Sequence, residues 1–200
     1  MSEFNIEVEG GSSVRLPTAG KYCDRDIVVT AKGGDELFRD GAYAMAYTRK
    51  MLNMFNGNDC PCDTLYKDSL HLEEVEFLFT GTINRKWNDS FNGCTNLETV
   101  RFPKLKGFAY NGFCDRMFYG CTALKRMQLG SIGFPISQMV EVAGNMPFAG
   151  CTNPQLVIEI YCNYATLSEL PQALTKGSPW GATNATIVYR NSTTGEVITG

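Results

Sequence analysis

The residues that most often perform catalysis are few in this sequence, and their spacing does not favour an enzyme. His71 is the only histidine, and no second base lies close to it in the sequence. Because a serine or cysteine nucleophile must be activated by an adjacent base, this placement does not predict a catalytic triad. Glu73, Glu74 and Glu76 follow closely, but such carboxylates are more typical of a solvated surface than of a matched acid and base.

One short segment contains side chains that bind metals. Cys60 and Cys62 are separated by one proline and flanked by Asp59 and Asp63. A zinc site usually needs a second pair of ligands at a recognisable spacing, and the sequence has no such pair. It also has no phosphate-binding loop of the G-x-x-x-x-G-K-[ST] or G-x-G-x-x-G kind. We therefore predict no metal, no cofactor and no enzymatic activity.

A repeat organises the middle of the chain. FNGCTNLETVRF begins at Phe91, FYGCTALKRMQL at Phe118 and FAGCTNPQLVIEI at Phe148, and a degenerate copy, YKDSLHLEEVEF, begins at Tyr66. The repeat template is aromatic-x-x-Cys-x-x-Leu-x-x-Val-x-Phe, with Ser69 in the cysteine position of the first copy. That position recurs after 25, 27 and 30 residues, a period typical of a stacked array of repeats.

The template has a physical interpretation. Apolar residues three apart predict a tight, turn-like arc with one buried side, and the final spacing of two predicts a short strand with one buried face. One repeat cannot bury such a face alone, so neighbouring repeats must stack. The Gly-Cys-Thr triplet predicts a crowded bend, where glycine permits a positive φ and the small thiol fills a narrow space without needing a hydrogen bond.

The phrase F-x-G-C-T-x-L-x-x-V-x-F resembles the BspA-like branch of the leucine-rich repeats. The resemblance covers residues 65–160, about half of the chain, and the fourth copy departs from it at Pro154, where an extra residue makes the strand register uncertain. What the resemblance implies is a solenoid that serves as a binding or display scaffold, with no catalytic residues to transfer.

The first 32 residues form a separate module. Polar and apolar residues alternate in FNIEV, SVRL follows a Gly-Gly-Ser-Ser turn, and DIVVTA ends the module. Three short strands are therefore predicted over residues 4–31. The segment SSVRLPTAGKYCDRDIVVTAKG resembles a short module of tail and adaptor-type proteins of phages and prophages of gut bacteria. That resemblance implies a phage or prophage origin and an attachment or assembly role. If the chain is an assembly subunit, we expect homo-oligomerisation through residues 4–31. A β cap on the first repeat is the alternative.

Residues 33–64 are expected to link this module to the repeats. Asp35 could cap a helix start, Gly57 could end it, and apolar residues recur between them near helical spacing. These apolar residues are Tyr43, Tyr47, Met51, Met54 and Phe55. We therefore predict an amphipathic helix that packs on the first repeat.

Residues 166–200 are expected to cap the other end of the repeats at 65–165. TLSELPQALTKG has capping-box spacing from Thr166 to Glu169, and Gly177 could end a helix. Pro171 lies inside this segment, so the first turn is expected to be separate. ATIVYR, the polar NSTTG turn and EVIT then predict a closing β-hairpin.

Three arms of variable length connect the copies, at residues 78–90, 103–116 and 130–146. In stacked arrays such insertions map to loops on one side, which is often the binding side. Aromatic residues in the first two arms are therefore candidate binding residues, although they could instead anchor the loops inside the fold. The candidates are Trp87, Phe108, Tyr110 and Phe113.

A second candidate surface follows from strand alternation. The residue between the two buried strand positions is Glu76, Arg101, Gln128 and Glu159 in the four successive copies. If the repeats stack at strand spacing, about 4.8 Å, these side chains form one outward stripe. A pair between Glu76 and Arg101 would contribute roughly 0.2 to 1 kcal/mol. The stripe is either a solubilising surface or a shallow polar recognition surface.

Composition argues against nucleic-acid-binding, secreted and membrane-spanning proteins. A net charge of −3 and the lack of a dense lysine or arginine cluster argue against nucleic acid as a partner. The N-terminal MSEFNIEVEGG lacks the pattern of a secretion signal, and no run of about 20 apolar residues could span a bilayer. We therefore expect synthesis in the cytoplasm and reduced forms of the eight cysteines.

Together these patterns predict an α+β, mostly β protein: a short leucine-rich-repeat solenoid with a small N-terminal β module and a C-terminal helix and hairpin cap. The expected function is non-catalytic binding of a protein or a surface glycan, in a phage or prophage protein associated with the virion or its tail. Two alternatives stay open, an intracellular inhibitor that occludes a host defence protein and a structural assembly subunit.

Overall fold

The structure, a computed structural model, describes part of the chain. The described residues are 4–9, 27–32, 50–54, 66–77, 80–83, 87–108, 114–137, 139–177 and 179–200. Their strands are β1 (Phe4–Glu9), β2 (Ile27–Lys32), β3 (Lys50–Met54), β4 (Glu74–Phe77), β5 (Gly81–Ile83), β6 (Thr99–Phe102), β7 (Leu105–Phe108), β8 (Arg126–Leu129), β9 (Val157–Cys162) and β10 (Thr186–Asn191). Their α-helices are α1 (Met139–Gly144) and α2 (Gln172–Thr175), with 3₁₀ turns at Leu167–Glu169 and Pro179–Gly181. The predicted class, mostly β with a few short helices, is confirmed.

Most strands belong to one parallel sheet. Its described strands follow the order β10-β9-β8-β6-β4-β3, and every neighbouring pair is parallel. β5 and β7 form a second parallel pair, and β1 and β2 form a third. Parallel neighbours need a crossover connection, and between β4 and β9 each crossover is the remainder of one repeat. No helix in the described ranges is long and apolar enough to cross a membrane.

Each repeat opens with two consecutive turns. The N–H of Cys94 donates to the carbonyl of Phe91 over 3.1 Å, and the N–H of Leu97 donates to the carbonyl of Cys94 over 3.1 Å. The same two turns begin at Phe118 in the next repeat. Because each turn returns the chain after three residues, the aromatic, cysteine and leucine positions all point inward, and all are buried.

The fourth repeat absorbs its extra residue before the strand begins. The N–H of Leu156 donates to the carbonyl of Asn153 over 3.1 Å, so the second turn has moved past Cys151. β9 then pairs with β8 without a shift, and Ile158 lies beside Met127. The strand register that the sequence left uncertain at Pro154 is therefore the same as in the other repeats.

The aromatic residues that open the repeats form a continuous stack in the core. Neighbouring rings lie 5.0 to 5.2 Å apart and are within 9° of parallel. The stack consists of Tyr66, Phe91, Phe118 and Phe148. A second stacked pair, Phe77 and Phe102 at 4.8 Å, lies on the inner side of β4 and β6. Burial of these rings contributes a large part of the apolar area that stabilises the array.

Glycine in the Gly-Cys-Thr triplet is required by backbone geometry. Gly93, Gly120 and Gly150 have φ of +78°, +73° and +75°, in the left-handed region that favours glycine. A Cβ atom on Gly150 would lie 3.2 Å from the backbone nitrogen of Gly120. The bend is therefore crowded by the neighbouring repeat, as the sequence predicts. Asp68 occupies the same position in the degenerate first copy, with φ of +58°.

The cysteines of the template do more than fill space. Each thiol donates a hydrogen bond to the backbone carbonyl of the aromatic residue that opens the preceding repeat. The three bonds are Cys94 to Tyr66 at 3.0 Å, Cys121 to Phe91 at 3.1 Å and Cys151 to Phe118 at 3.1 Å. The expectation that the thiol needs no hydrogen bond is wrong. These three, with Cys114 and Cys162, are buried free thiols, whereas Cys23, Cys60 and Cys62 lie outside the described residues.

The segment before the repeats differs from the predicted helix. Lys50–Met54 is strand β3, which pairs in parallel with β4 and places Met51 beside Val75. Without β3 the backbone groups on that side of β4 would lack a strand partner, and this tertiary requirement outweighs apolar spacing that fits a helix only approximately. The remainder of the predicted helix lies outside the described residues, as does SVRL, the middle strand expected in residues 4–31.

The C-terminal segment also departs from its prediction. β10 pairs in parallel with β9 and so adds another strand to the main sheet instead of forming a separate hairpin. Its antiparallel contact with the end of the chain is reduced to one bridge, between Arg190 and Val197. The predicted helix is split as expected, because α2 begins after Pro171 and Leu167–Glu169 is a separate 3₁₀ turn.

Candidate functional site

The strongest candidate is the outer strand face, which we define as the outward-pointing side chains of β4, β6, β8, β9 and β10. Alternate residues of these strands are buried, and the residues between them are partly or fully exposed in β4, β6, β8 and β9. The pairing register places Glu76 beside Arg101, Arg101 beside Gln128, and Gln128 beside Glu159. The predicted stripe therefore exists as a row of neighbouring side chains.

A shallow depression of about 260 Å³ lies on this face. Its lining is dominated by polar and charged side chains, so it has the character of a polar recognition surface more than of an apolar ligand pocket. The polar lining residues are Glu74, Thr99, Arg101, Arg126, Gln128 and Glu159. Three of the four stripe residues belong to this lining, whereas Glu76 lies beyond its edge.

Arg101 is held between two carboxylates of the neighbouring strand. Its Nη2 lies 3.0 Å from Oε1 of Glu74 and 3.6 Å from Oε2 of Glu76. The predicted pair with Glu76 is present, but the shorter bond is to Glu74. The Nε of Arg101 is buried and makes no hydrogen bond. The guanidinium is thus fixed in position with part of its donor capacity unused.

The other acidic group of the stripe is also paired with an arginine. Nη2 and Nε of Arg190 lie 2.8 Å and 2.9 Å from Oε1 of Glu159. Arg190 Nη1 also donates to the carbonyl of Gly195 over 3.0 Å, which ties the end of the chain to β10. Between these ion pairs, Gln128 donates through Nε2 to the carbonyl of Gly130 over 2.9 Å. The centre of the face is therefore ordered by its own hydrogen bonds.

The arm aromatics do not form part of this surface. Trp87 is 1% exposed and Phe108 is 3% exposed. Trp87 packs its ring edge against Phe77 at 4.9 Å and Phe102 at 5.6 Å, so the arm is anchored in the core. Burial of large apolar rings is strongly favourable, and it contradicts a binding role for these two residues. Tyr110 and Phe113 (the other two arm candidates) lie outside the described residues.

Several residues of the depression were missed by the sequence analysis. Glu74, Thr99 and Arg126 precede the stripe residues by two positions and align with one another across β4, β6 and β8. Since side chains two apart share one face of a strand, the same alternation that predicted the stripe contained the signal for this second row. Arg190 had no such signal, because β10 was expected in a hairpin.

Two further candidates from the sequence are His71 and the Cys60-Pro-Cys62 segment. Within the described ranges, no three or more His, Cys, Asp or Glu side chains are grouped closely enough to hold a metal ion. His71 is exposed at the edge of the first repeat, in the surface position that its sequence neighbours indicate. The Cys60-Pro-Cys62 segment lies outside the described residues.

Comparison with known proteins adds no assignment, because no protein-family model, no curated protein and no solved structure matches the chain. Inference about function therefore depends on the chemistry of the outer strand face.

Proposed function

We propose that the repeats at residues 65–165 form a short leucine-rich-repeat solenoid of the BspA-like type, and that β10 extends it by a fifth coil. Two observations support this architecture. Two turns and a strand recur in each repeat, with the second turn displaced in the fourth, and each strand pairs in parallel with the strand of the next repeat. Beyond the fourth repeat, the N–H of Phe148 donates to the carbonyl of Trp180 over 3.1 Å, the bond that the N–H of Phe118 makes to Pro147 one repeat earlier.

The function that this architecture supports best is non-catalytic binding of a partner through the outer strand face. The observation that carries the proposal is the row of Arg101, Gln128 and Glu159 along three neighbouring strands, above a depression lined by polar side chains. Regular strands hold these groups in fixed positions, which lowers the ordering cost of binding. Stacked-repeat proteins commonly bind partners on such extended surfaces.

A matched pair of substitutions tests the use of this face. Thr99 lies in the depression, whereas Thr122 is exposed on the turn that follows Cys121. Thr99→Trp places a large uncharged side chain in the depression, and Thr122→Trp makes the same change outside it. The wild-type chain and both variants would be immobilised and incubated with a host lysate and, separately, with a phage particle preparation. Retained proteins would be quantified by mass spectrometry.

We expect a partner that binds wild type and Thr122→Trp and whose binding is reduced about tenfold or more by Thr99→Trp. Recovery of that partner from particles would support a virion-associated protein, and recovery from the host lysate would support an inhibitor. Equal loss of the partner in both variants, or in neither, would overturn the assignment of the binding face. Circular dichroism of both variants would verify that each one is folded.

A further inference from the structure

Each charged group of the outer strand face lies within ion-pair distance of an opposite charge, with one exception. The carboxylates of Glu74 and Glu159 each lie within 3.0 Å of an arginine nitrogen. Arg126 is exposed on β8, and none of the carboxylates in the described ranges lies within ion-pair distance of it. The face therefore presents one guanidinium whose charge has no counterpart within the described protein.

The surroundings of Arg126 favour a ligand that accepts hydrogen bonds. Thr99 lies beside Arg126 on β6, and Val157 lies beside it on β9. Neighbouring strands are about 4.8 Å apart, so a group bound to Arg126 is within reach of the Thr99 hydroxyl. Arg101 also lines the depression, but its guanidinium is already held by Glu74 at 3.0 Å. The depression thus places a guanidinium that has no ion pair within the described protein beside a hydroxyl donor.

We propose that Arg126 is the anchor for a carboxylate of an acidic segment in a protein partner. The guanidinium group presents parallel N–H donors that match the two oxygens of a carboxylate, and pairing would give Arg126 the ion pair that it lacks within the described protein. This inference depends on the proposed use of the outer strand face for binding. It adds the chemical class of the partner to that function.

The residues that line the depression favour a protein ligand over a glycan ligand. Its lining contains two arginines, two glutamates, a threonine and a glutamine, and it contains no aromatic ring on which a sugar could stack. Arginine at the centre of a polar patch is typical of protein interfaces, where it often contributes more than its neighbours. Each acid of the face already lies against an arginine, so a basic partner would compete with those arginines, whereas an acidic partner at Arg126 would not.

The test uses short peptides as probes of this chemistry. Fluorescently labelled hexaglutamate would be titrated with the full chain at low ionic strength, and its anisotropy measured. Hexalysine, hexaglutamine and a hexamer of a uronic acid sugar would be measured in parallel. We expect hexaglutamate to bind more tightly than the other three, with an affinity that falls as salt is added.

Substitution of Arg126 would show whether the binding is local. Arg126→Ala should weaken hexaglutamate binding about two- to fivefold, the range for one exposed ion pair, and Arg126→Glu should weaken it further. Arg116→Ala is the matched control, because Arg116 is equally charged and exposed but pairs with Asp89 at 3.1 Å on a turn. It should leave the affinity unchanged.

Several results would overturn the proposal. They are failure of hexaglutamate to bind, equal effects of the substitutions at Arg126 and Arg116, and tighter Arg126-dependent binding of the uronic acid hexamer. None of these results would affect the comparison of Thr99→Trp with Thr122→Trp, which tests the binding face by itself. If that comparison failed while hexaglutamate still bound through Arg126, the carboxylate site would stand without the proposed function.

Discussion

The thiol of each template cysteine joins two repeats through one backbone atom. The carbonyl of Phe91 accepts the N–H of Cys94 within its own repeat and the S–H of Cys121 from the next, both at 3.1 Å. Serine replaces cysteine in the first copy, at Ser69, where no earlier repeat of the template precedes it. The template cysteine therefore combines a small buried side chain with one directional hydrogen bond to the preceding repeat.

Removal of one thiol should have a measurable cost. Cys121→Ala leaves the carbonyl of Phe91 with one hydrogen bond and opens a small void, so we expect the free energy of unfolding to fall by about 1 to 2 kcal/mol. Cys121→Ser retains a donor and should lose less. Urea unfolding followed by circular dichroism measures both changes. If serine were as destabilising as alanine, the hydrogen bond would contribute little.

Because these thiols are buried, the stability of the protein should fall as the pH becomes alkaline. Desolvation raises the pKa of Cys94 and Cys151 from 9.0 to about 12, and it raises the pKa of Cys121 well above 9.0. A group whose pKa is raised on folding stabilises the folded state below its unfolded pKa. That stabilisation is lost as pH rises, because the unfolded thiols ionise first.

The free energy of unfolding should therefore decline between pH 9 and pH 12, by about 1.4 kcal/mol per pH unit for each thiol. Tyr189, whose pKa is raised by burial to about 12, adds to the decline above pH 10. Urea unfolding at pH 7.5, 9.5 and 10.5 would measure the slope. Cys151→Ser should reduce that slope by the share of one thiol, and an unchanged slope would contradict this assignment.

At the scale of one element, the repeat is two turns followed by a strand, and its opening aromatic residue contacts both neighbouring repeats. The ring of Phe118 is stacked against Phe91 at 5.1 Å and against Phe148 at 5.2 Å. Its position is central in the array, and the ring is 1% exposed. A single ring therefore contributes to two interfaces between repeats.

Truncation of this ring should be strongly destabilising. Phe118→Ala should lower the free energy of unfolding by about 3 to 5 kcal/mol, because it opens a cavity between three repeats. Tyr119→Ala is the neighbouring control: Tyr119 is 47% exposed, and we expect a change within about 0.5 kcal/mol. Chemical denaturation of both variants provides the comparison. Similar losses in the two variants would show that the stack is not a main source of stability.

At the scale of the whole molecule, the main sheet grows by one strand for each repeat. Interior strands β6 and β8 have parallel partners on both sides, whereas the main-sheet pairing of β10 is with β9 on one side. In stacked-repeat proteins stability arises from the repeats and from nearest-neighbour contacts, so the ends open more readily than the middle.

Hydrogen exchange should reveal this gradient. We expect amide protection to be highest in Thr99–Phe102 and Arg126–Leu129 and lower in Thr186–Asn191, because each opening at the end breaks the contacts of one interface only. Exchange measured by mass spectrometry on peptic peptides at several times gives the ranking. Equal protection in all three strands would indicate that the array opens as one cooperative unit.

Much of the repeat region could be predicted from the sequence because its determinants are local. Two three-residue turns fix the inward direction of the aromatic, cysteine and leucine positions, and strand alternation fixes the buried valine and phenylalanine. The recurrence of this pattern was enough to align Glu76, Arg101, Gln128 and Glu159 in one outward row. Their alignment required only the correct strand register, and the repeated template supplies that register.

Other features were decided by contacts between distant segments. Lys50–Met54 became a strand because β4 needed a partner, and β10 joined β9 for the same reason. Trp87 and Phe108 turned inward because burial of a ring is favourable wherever neighbouring repeats leave space. The ion pairs that leave Arg126 unmatched depend on which side chains meet across strands. Sequence alone determined the repeat and its buried side. Only the tertiary structure decided which segments complete the sheet and which charge on its outer face has no partner, because both depend on distances between residues far apart in the chain.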